Sequence, residues 1–414
     1  MRAINYSTHV NLPWQTDMNR ICIRLNGTIK IILLSLISTA LSSAPSLDFE
    51  SSNGDFKAHL GGRFLVDAAK YFDDGPVSLG SGIEVRRARL FISGTYLGDW
   101  QFKAQYDFTA LEPQNDALDG LKDAYIAYSG FNSVHLKAGH FKEPFGLDEH
   151  TSSNYSAFIE RSLAASFAPG RNIGLALSGY NDHWTASAGI YNGGLSQPVH
   201  GGYGITGRIT YSPVHTQDHV IHFGLAASRR ETNDDNTLRF RQRPESHITE
   251  IRLVDTGKFD AESFYLLGLE AAYINGPFSI QSEYRRVETN NKTAGNPELT
   301  ASGFYVETSW FMTGESRHYS FKDGSFKQTN VRRVINQGGF GAWEIAARYS
   351  SIDLTDETII GGEEDNVTIG LNWYPNNQCR LMANYIKVVS TDRPGNLLDN
   401  VEPDIFQMRA QIYW

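Results

Sequence analysis

Arginine is the residue whose spacing in this sequence most clearly suggests a chemical role. Arg239, Arg241 and Arg243 occupy alternate positions in an otherwise acidic chain. In an extended segment alternate side chains project to the same side, so three guanidinium groups would share one face. Guanidinium is always charged and offers a planar fork of N–H donors to phosphate or carboxylate oxygens. The spacing therefore predicts a local surface that binds anions.

Other arginines extend this pattern. Arg86, Arg87 and Arg89 form a second cluster, and Arg63 and Arg161 stand singly among polar neighbours. Inside a pore, a row of such groups can attract an anion and pass it on, provided that each site binds weakly enough to release it. On an outer-membrane protein, exposed arginines can equally bind lipopolysaccharide phosphates or be solvated in a loop. Spacing alone leaves both interpretations open.

Motifs of enzymatic chemistry are poorly represented. The chain has no Gly-x-Ser-x-Gly elbow, no Gly-rich phosphate loop before Lys-Ser/Thr and no His-Glu-x-x-His. One tight histidine group, His215, His219 and His222, lacks a cysteine or a clear carboxylate partner at ligand spacing, so turn or wall positions are expected for it. We predict no catalytic residues, no metal site and no cofactor.

The elements that would position the arginines are strands. Apolar and polar residues alternate with period two in many segments after Asp48, which is the period of a β-strand. Clear examples are residues 100–108, 278–285, 343–350, 367–374 and 406–414. Stretches rich in Gly, Asn and Asp, among them 192–202, 322–339 and 355–365, predict loops. Alternation alone fits a soluble sandwich as well as a membrane barrel.

Three features favour the membrane barrel. Aromatic residues cluster at the ends of the apolar faces, as in interfacial girdles. The chain ends on an apolar-faced strand with a terminal aromatic residue, Trp414. There is no separate signal for a buried core. We therefore predict an all-β protein, a transmembrane antiparallel β-barrel. Sixteen strands would leave about 23 residues for each strand with its connector, and a strand needs roughly 9–11 residues to span the membrane.

The start of the chain has the three parts of a secretory signal. Basic residues Arg20, Arg24 and Lys30 precede an apolar run at 31–41, and small residues follow at Ser42 and Ala44. We predict that residues 1–44 are a signal peptide and that residues 45–414 form one barrel domain. The mature chain would carry 33 basic and 45 acidic residues, a formal charge of −12. Such an acidic chain has no general affinity for nucleic acid.

Specific motifs give the chain a resemblance to a known family. They run in order along the whole mature chain: Leu60-Gly-Gly-Arg-Phe-Leu-Val-Asp67, Arg86-Arg87-Ala88, Tyr106-Asp107-Phe108, Gly139-His-Phe-Lys-Glu-Pro-Phe-Gly-Leu147, Thr151-Ser152-Ser153, Glu160-Arg161, Thr313-Gly-Glu-Ser-Arg317, Gly341-Ala-Trp-Glu344 and Gly370-Leu-Asn-Trp-Tyr374. With these motifs the sequence resembles the phosphate-selective porins O and P of bacterial outer membranes.

The resemblance implies a homotrimer of sixteen-stranded barrels, each narrowed by inward-folded loops and lined by arginines. By position, Arg63, Arg86, Arg87 and Arg161 match the family's pore arginines. The segment with Arg239, Arg241 and Arg243 falls in its arginine-rich inward loop. Asp123 matches an acidic residue near the constriction.

One departure from the family affects the expected selectivity. Where the phosphate channel carries lysine at the constriction and again shortly after, this chain has Glu149 and Asn154. Replacing a cation by an anion changes the local charge by two units, which can outweigh a more distant arginine. His150 could add a positive charge that depends on protonation near neutral pH, or be a solvated loop residue.

The sequence therefore predicts a porin of the Gram-negative outer membrane. It would pass small hydrophilic solutes, chiefly anions such as phosphate or organic phosphates, without a chemical step. Its other partners would be membrane lipid and lipopolysaccharide. A weakly selective or cation-tolerant general porin is the alternative, and an outer-membrane structural or adhesin barrel is the alternative of another class.

Overall fold

The structure is a computed structural model. It describes residues 47–72, 75–110, 117–192, 202–232, 236–291 and 298–414. The predicted signal peptide, residues 1–44, lies outside the described residues.

The described chain is built almost entirely of strands. They are β1 (Leu47–Glu50), β2 (Phe56–Phe72), β3 (Gly82–Tyr96), β4 (Trp100–Asp107), β5 (Leu121–Phe131), β6 (Val134–Lys142), β7 (Arg171–Tyr180), β8 (Trp184–Tyr191), β9 (Gly204–His215), β10 (His219–Glu231), β11 (Thr237–Leu238), β12 (Arg241–Gln242), β13 (Val254–Asp255), β14 (Phe259–Asp260), β15 (Ser263–Asn275), β16 (Phe278–Asn290), β17 (Thr300–Phe311), β18 (Tyr319–Ser320), β19 (Ser325–Phe326), β20 (Ala342–Asp356), β21 (Ile359–Tyr374), β22 (Cys379–Asp392) and β23 (Asp404–Tyr413).

Helical structure is short wherever the chain is described. One α-helix, α1, covers Leu147–His150, and 3₁₀ turns cover Phe108–Ala110, Ala117–Gly120, Leu163–Phe167 and Ile335–Gln337. None of the helices in the described ranges is both long and apolar enough to cross a membrane.

Sixteen antiparallel strands of the described chain close into a barrel. β2–β10, β15–β17 and β20–β23 each pair with the next, and β23 returns to pair with β2. β1 pairs with the edge of β2 that also pairs with β23, but nearer the start of β2, so β1 and β23 lie end to end along that edge. Gly62 and Trp414 exchange backbone hydrogen bonds of 3.0 and 3.1 Å at this seam. A Cβ on Gly62 would lie 2.5 Å from the Trp414 ring, so glycine makes room for the terminal aromatic residue.

The two faces of each strand show which side is lipid and which is lumen. In β16, Gln281, Glu283 and Arg285 are buried inside the barrel, whereas Phe278 and Ile280 are exposed outside. A soluble sandwich would bury the apolar side instead. An outward apolar face with a polar interior is the pattern of a membrane barrel, and the predicted fold class is confirmed.

Connections differ between the two ends of the barrel. At one end, here the short-turn end, most connections have two to four residues, such as 132–133 and 276–277. The opposite, long-loop end carries the connections 143–170 and 232–262. The predicted loop at 355–365 is wrong, because β20 and β21 continue through it to a tight turn at 357–358. Strand pairing with neighbours outweighs the acidic and glycine-rich composition there.

Residues 143–170, here called the inner loop, fold into the lumen. Phe145, Leu147, Phe158 and Leu163 are fully buried. Phe145 and Leu163 join one apolar cluster with wall residues such as Val287. Burying side chains of this size contributes about 1.5–3 kcal/mol each. The inner loop is therefore packed against the wall made by β15–β17 and β20.

Polar side chains of the wall also hold the inner loop through its backbone. Arg380 donates to the carbonyl of Ser156 (2.6 Å), and Arg409 donates to the carbonyl of Ile159 (2.5 Å). Glu283 accepts from the amide of Asp148 (2.6 Å). Hydrogen bonds to charged groups contribute about 1.5–3 kcal/mol each. The loop is fixed in position rather than laid loosely across the pore.

Two further segments enter the lumen. Residues 236–262, the arginine loop, are anchored by Glu245, whose carboxylate accepts from Arg348 (2.6 Å) and Thr368 (2.9 Å). The end hairpin, residues 318–327 with β18 and β19, enters from the short-turn end. The hydroxyl of Tyr319 lies 2.6 Å from His222 on β10. Together with the inner loop, these segments narrow the barrel.

Candidate functional site

Among the described residues, three adjoining cavities lie in the lumen. The outer cavity (about 390 Å³) lies next to the arginine loop, the central cavity (about 410 Å³) lies between the inner loop and the wall of β2–β7, and the lower cavity (about 440 Å³) lies next to the end hairpin. Arg87 and Arg161 line both the outer and the central cavity. Lys137 and Lys142 line both the central and the lower cavity. Because neighbouring cavities share lining residues, the three adjoin in series, and this series is here called the path.

The lining of the central cavity is strongly basic. One carboxylate, Asp123, lies among its lining residues. The basic lining residues are Arg63, Arg87, Arg89, Lys103, Lys137, Lys142, Arg161 and Arg171. Such a density of positive charge between low-dielectric walls concentrates anions.

Several of these cations are already paired. Asp123 is held between Lys103 (2.7 Å) and Arg171 (2.8 Å). Arg89 contacts Asp107 at 2.5 Å. Asp123 therefore lines the central cavity, and two cations compensate its charge.

Arg63 and Arg87 are different, because neither has a carboxylate within 4 Å in the described parts of the chain. Each is 8% exposed. Arg63 donates to Asn154 (2.9 Å) and Ser153 (3.1 Å) of the inner loop, while its Nε has no partner. The Nε and Nη1 atoms of Arg87 both lack a partner. These buried, charged donors border the path, and their remaining hydrogen-bonding capacity is not used within the described chain.

Glu149 also lies on the path, in the lining of the outer cavity. Its carboxylate lies 3.0 Å from Lys142 and 3.1 Å from Arg161. Burial by itself would raise the pKa of Glu149, but Arg161 and Lys142 outweigh it and hold that pKa well below the ordinary range. Glu149 is therefore ionised, and its charge is compensated by two cations that sequence reasoning did not place beside it.

The expected protonation of His150 near neutral pH is not supported. Burial, together with the nearby charges of Arg208 and Lys142, lowers the pKa of His150 to about 3. The ring lines the central and lower cavities as a neutral group.

The remaining predicted arginines lie towards the long-loop end. Arg86 forms a two-pronged contact with Glu160 (2.8 and 3.1 Å) in the outer cavity. Arg243 lines the same cavity and contacts Glu250 at 2.7 Å. Arg239 pairs with Asp255, and its Nε contributes a 2.7 Å hydrogen bond.

Alternation in the arginine segment is observed. Phe240, between two of the arginines, is buried in the same apolar cluster as Phe167 of the inner loop. Arg241 on the other side is exposed, and its side chain has no ion pair within the described ranges. Of the three alternate arginines, Arg243 lines one of the three cavities, whereas Arg239 and Arg241 lie outside their linings.

Sequence reasoning missed part of the basic lining. Lys137, Lys142 and Arg171 were not predicted as site residues, although all three line the central cavity. The sequence does contain a signal for Lys137, because it lies two residues after His135 and therefore on the same, lumen-facing side of β6. Arg171 is the first residue of its strand, so periodicity could not assign its direction.

The histidine group does not gather around one point. His222 faces the lumen, 3.1 Å from Glu270, whereas His215 lies near the turn and contacts the backbone carbonyl of Ser212. Within the described ranges, no group of three His, Cys, Asp or Glu side chains could hold a metal ion.

Comparisons with known proteins agree with this architecture. A family profile described as "Phosphate-selective porin O and P" matches residues 59–414. Porin O of Pseudomonas aeruginosa is 26% identical over 415 aligned residues, which cover 88% of this chain and 90% of that protein.

Two solved structures share the fold. An anion-selective porin from Comamonas acidovorans matches with a TM-score of 0.56 at 12% identity, over 87% of this chain and 100% of that one. The trimer form of OmpT, an outer membrane protein of Vibrio cholerae, matches with a TM-score of 0.51 at 13% identity, over 86% and 99% of the two chains.

Proposed function

This chain belongs to the phosphate-selective porin O and P family, and from this premise we propose that it conducts small anions such as phosphate and organic phosphates. Family and fold place it in the outer membrane of a Gram-negative bacterium as a porin. This family and this fold are those of a channel, and the proposal contains no chemical step. Solutes would diffuse passively along the three cavities.

One observation carries the anion proposal. Arg63 and Arg87 are buried beside the path with N–H donors that have no partner among the described residues. A buried charged donor without a partner costs free energy, which an entering anion would recover by accepting its hydrogen bonds. The neighbouring cations of the central cavity would favour the same anion.

Pairing of the other cations supports transport rather than tight retention. Conduction requires sites that bind well enough to admit the ion and weakly enough to release it. Lys103 and Arg171 already share Asp123. They would add a moderate field without adding further unpaired donors.

The arginine loop fits the role of an entrance. Barrels of this kind carry their longer loops on the extracellular side. Arg243 in the outer cavity and exposed Arg241 would then meet incoming solutes first. Paired Arg239 would contribute less, because Asp255 compensates its charge.

The cation-tolerant alternative loses its main argument. It rested on Glu149 and on the predicted mature charge of −12, and the carboxylate of Glu149 lies within about 3 Å of both Lys142 and Arg161. A compensated carboxylate attracts a passing cation far less than a free one. Asn154, at the second departure from the family, accepts a hydrogen bond from Arg63 and so fixes a pore arginine.

Assembly and membrane partners belong to the same proposal. We expect a homotrimer, supported by the trimer form of a protein with the same fold. The exposed apolar side chains of the barrel wall, such as Ile209 and Phe223, would contact membrane lipid and lipopolysaccharide chains.

Block of chloride current by phosphate tests the proposal. Single channels in a planar bilayer should carry chloride, and added inorganic phosphate should reduce that current with saturation, as expected for a binding site in the pore. Phosphate that leaves chloride current unchanged up to high millimolar concentration would contradict the proposal.

A further inference from the structure

We infer that the lower cavity binds the sugar or polyol part of a phosphorylated solute while its phosphate lies against Lys137 and Lys142. This inference rests on the anion-conducting function proposed above and narrows the solute class. A bare phosphate needs only the basic central cavity. The lower cavity adds groups of another chemical kind.

The two cavities meet at a basic boundary. Lys137, Lys142, Phe141 and His150 line both of them. A phosphate held by the two lysines would therefore leave room on its far side for the group that carries it. With a volume of about 440 Å³, the lower cavity can hold a group much larger than the roughly 30 Å³ share of one water molecule.

Neutral hydrogen-bonding groups distinguish the lower cavity from the central one. Its hydroxyl and amide lining residues are Gln101, Ser178, Tyr180, Thr185, Ser187 and Tyr191. Ser178 and Ser187 lie directly opposite each other on paired strands β7 and β8. Hydroxyl groups can both donate and accept, which suits the hydroxyls of a polyol.

Tyr191 is the most specific of these groups. It is 3% exposed, and its hydroxyl has no hydrogen-bond partner in the described chain. A Cβ on Gly174 would lie 2.4 Å from the Tyr191 ring, and one on Gly189 would lie 2.6 Å from its hydroxyl oxygen. The two glycines thus leave space for this ring against the wall. A buried unpaired hydroxyl is costly unless a ligand pairs with it.

The aromatic residues favour a polyol over a flat base. Phe141 packs edge-on against both Tyr125 and Tyr191. Lys137 lies over the rings of Tyr125 (4.7 Å) and Phe141 (5.3 Å). Stacking a nucleobase needs free ring faces, and these rings already contact one another or an ammonium group. Hydrogen bonding is the mode of recognition that remains.

The charges around the lower cavity agree with an anionic solute that has a neutral body. Arg208 is neutralised by a two-pronged contact with Glu270 (2.8 and 2.6 Å). Asp323 of the end hairpin contacts Lys327 at 2.9 Å. Lys137 has no carboxylate within 4 Å in the described chain, so the attraction is strongest at the boundary, where the phosphate would lie.

Competitive block of chloride current tests the inference. The probes are inorganic phosphate, glucose 6-phosphate and glucose, applied to single channels in a planar bilayer. Glucose 6-phosphate should block at a concentration at least about threefold lower than inorganic phosphate, because it adds hydrogen bonds in the lower cavity. Glucose alone should block weakly, because it lacks the charge.

Tyr191→Phe removes only the hydroxyl and keeps the ring between its glycines. It should raise the half-blocking concentration of glucose 6-phosphate about fivefold, the size of one net hydrogen bond, and change that of inorganic phosphate less than about twofold. Ser187→Ala should act in the same direction and provides a second test if the first variant folds poorly. Tyr265→Phe, which removes a hydroxyl from the outward face, is the matched control.

The outcomes separate this inference from the proposed function. Block by inorganic phosphate with no advantage for glucose 6-phosphate would overturn the inference and leave the anion channel standing. Equal shifts in the half-blocking concentrations of both anions in Tyr191→Phe would also overturn the inference and leave the anion channel standing. Absence of block by either anion would overturn both proposals.

Discussion

Arg87→Gln is the substitution that most sharply tests the anion site. Arg87 lines the outer and central cavities, and its Nε and Nη1 atoms have no partner among the described residues. Because no carboxylate in the described chain lies within 4 Å of it, glutamine would leave no unpaired buried anion behind. The substitution therefore removes one pore charge at little structural cost.

The expected magnitude follows from the burial of Arg87. Two unit charges 4 Å apart attract by about 1 kcal/mol in bulk water and by about 4 kcal/mol at an effective dielectric constant of about 20. A side chain 8% exposed, beside a water-accessible cavity of about 410 Å³, lies between these limits. A loss of about 1.5–3 kcal/mol corresponds to a roughly 10- to 100-fold weaker phosphate block, at about 1.4 kcal/mol per tenfold.

The assay is the half-blocking phosphate concentration in single channels of wild type and Arg87→Gln. Arg229→Gln is the matched control, since it removes the same charge from an exposed arginine on the outer face of the barrel. Altered migration on heating before gel electrophoresis would show that each variant is folded. A half-blocking concentration for Arg87→Gln within twofold of both wild type and the control would refute the reasoning.

Three further predictions address the groups around the path. Glu149→Gln frees Lys142 and Arg161 from their shared carboxylate, so phosphate block should strengthen several-fold. Unchanged block would show that Glu149 does not act on the permeating anion. Arg380→Ala deletes a clamp on the inner loop worth about 1.5–3 kcal/mol, and single-channel current should become noisier, whereas a quiet trace would show that the other anchors suffice. The pKa of His150 is about 3 in the folded chain, below its ordinary 6.5, so the ring's contribution to stability is lost as pH falls from about 6.5 towards 3. Between pH 8 and 6 the ring stays neutral, and His150→Gln should leave the pH profile of ion selectivity superimposable on wild type; a shifted profile would contradict the pKa.

Local periodicity was sufficient to predict the strands and their two faces. Residues 278–285 and 406–414 alternate as expected, because each spanning strand has one side in lipid and one in the lumen. Alternation could not say which side faces outward. Exposure of Phe278 together with burial of Glu283 decides that question.

The state of each pore charge could not be predicted from spacing, because it depends on contacts between distant parts of the chain. Arg409 is neutralised by Asp67, 342 residues away in sequence. Glu149 is compensated by Lys142 at the end of β6 and by Arg161 on the same inner loop. A sequence gives the number of arginines but not which of them lack a carboxylate, and that difference separates Arg87 from the paired cations.

The reversal potential across a planar bilayer under a KCl gradient tests the central claim most directly. The unpaired cations of the central cavity predict that chloride crosses more readily than potassium, so the potential should approach the equilibrium potential of chloride. A potential near that of potassium would contradict the account, as would purified, folded protein that forms no channels.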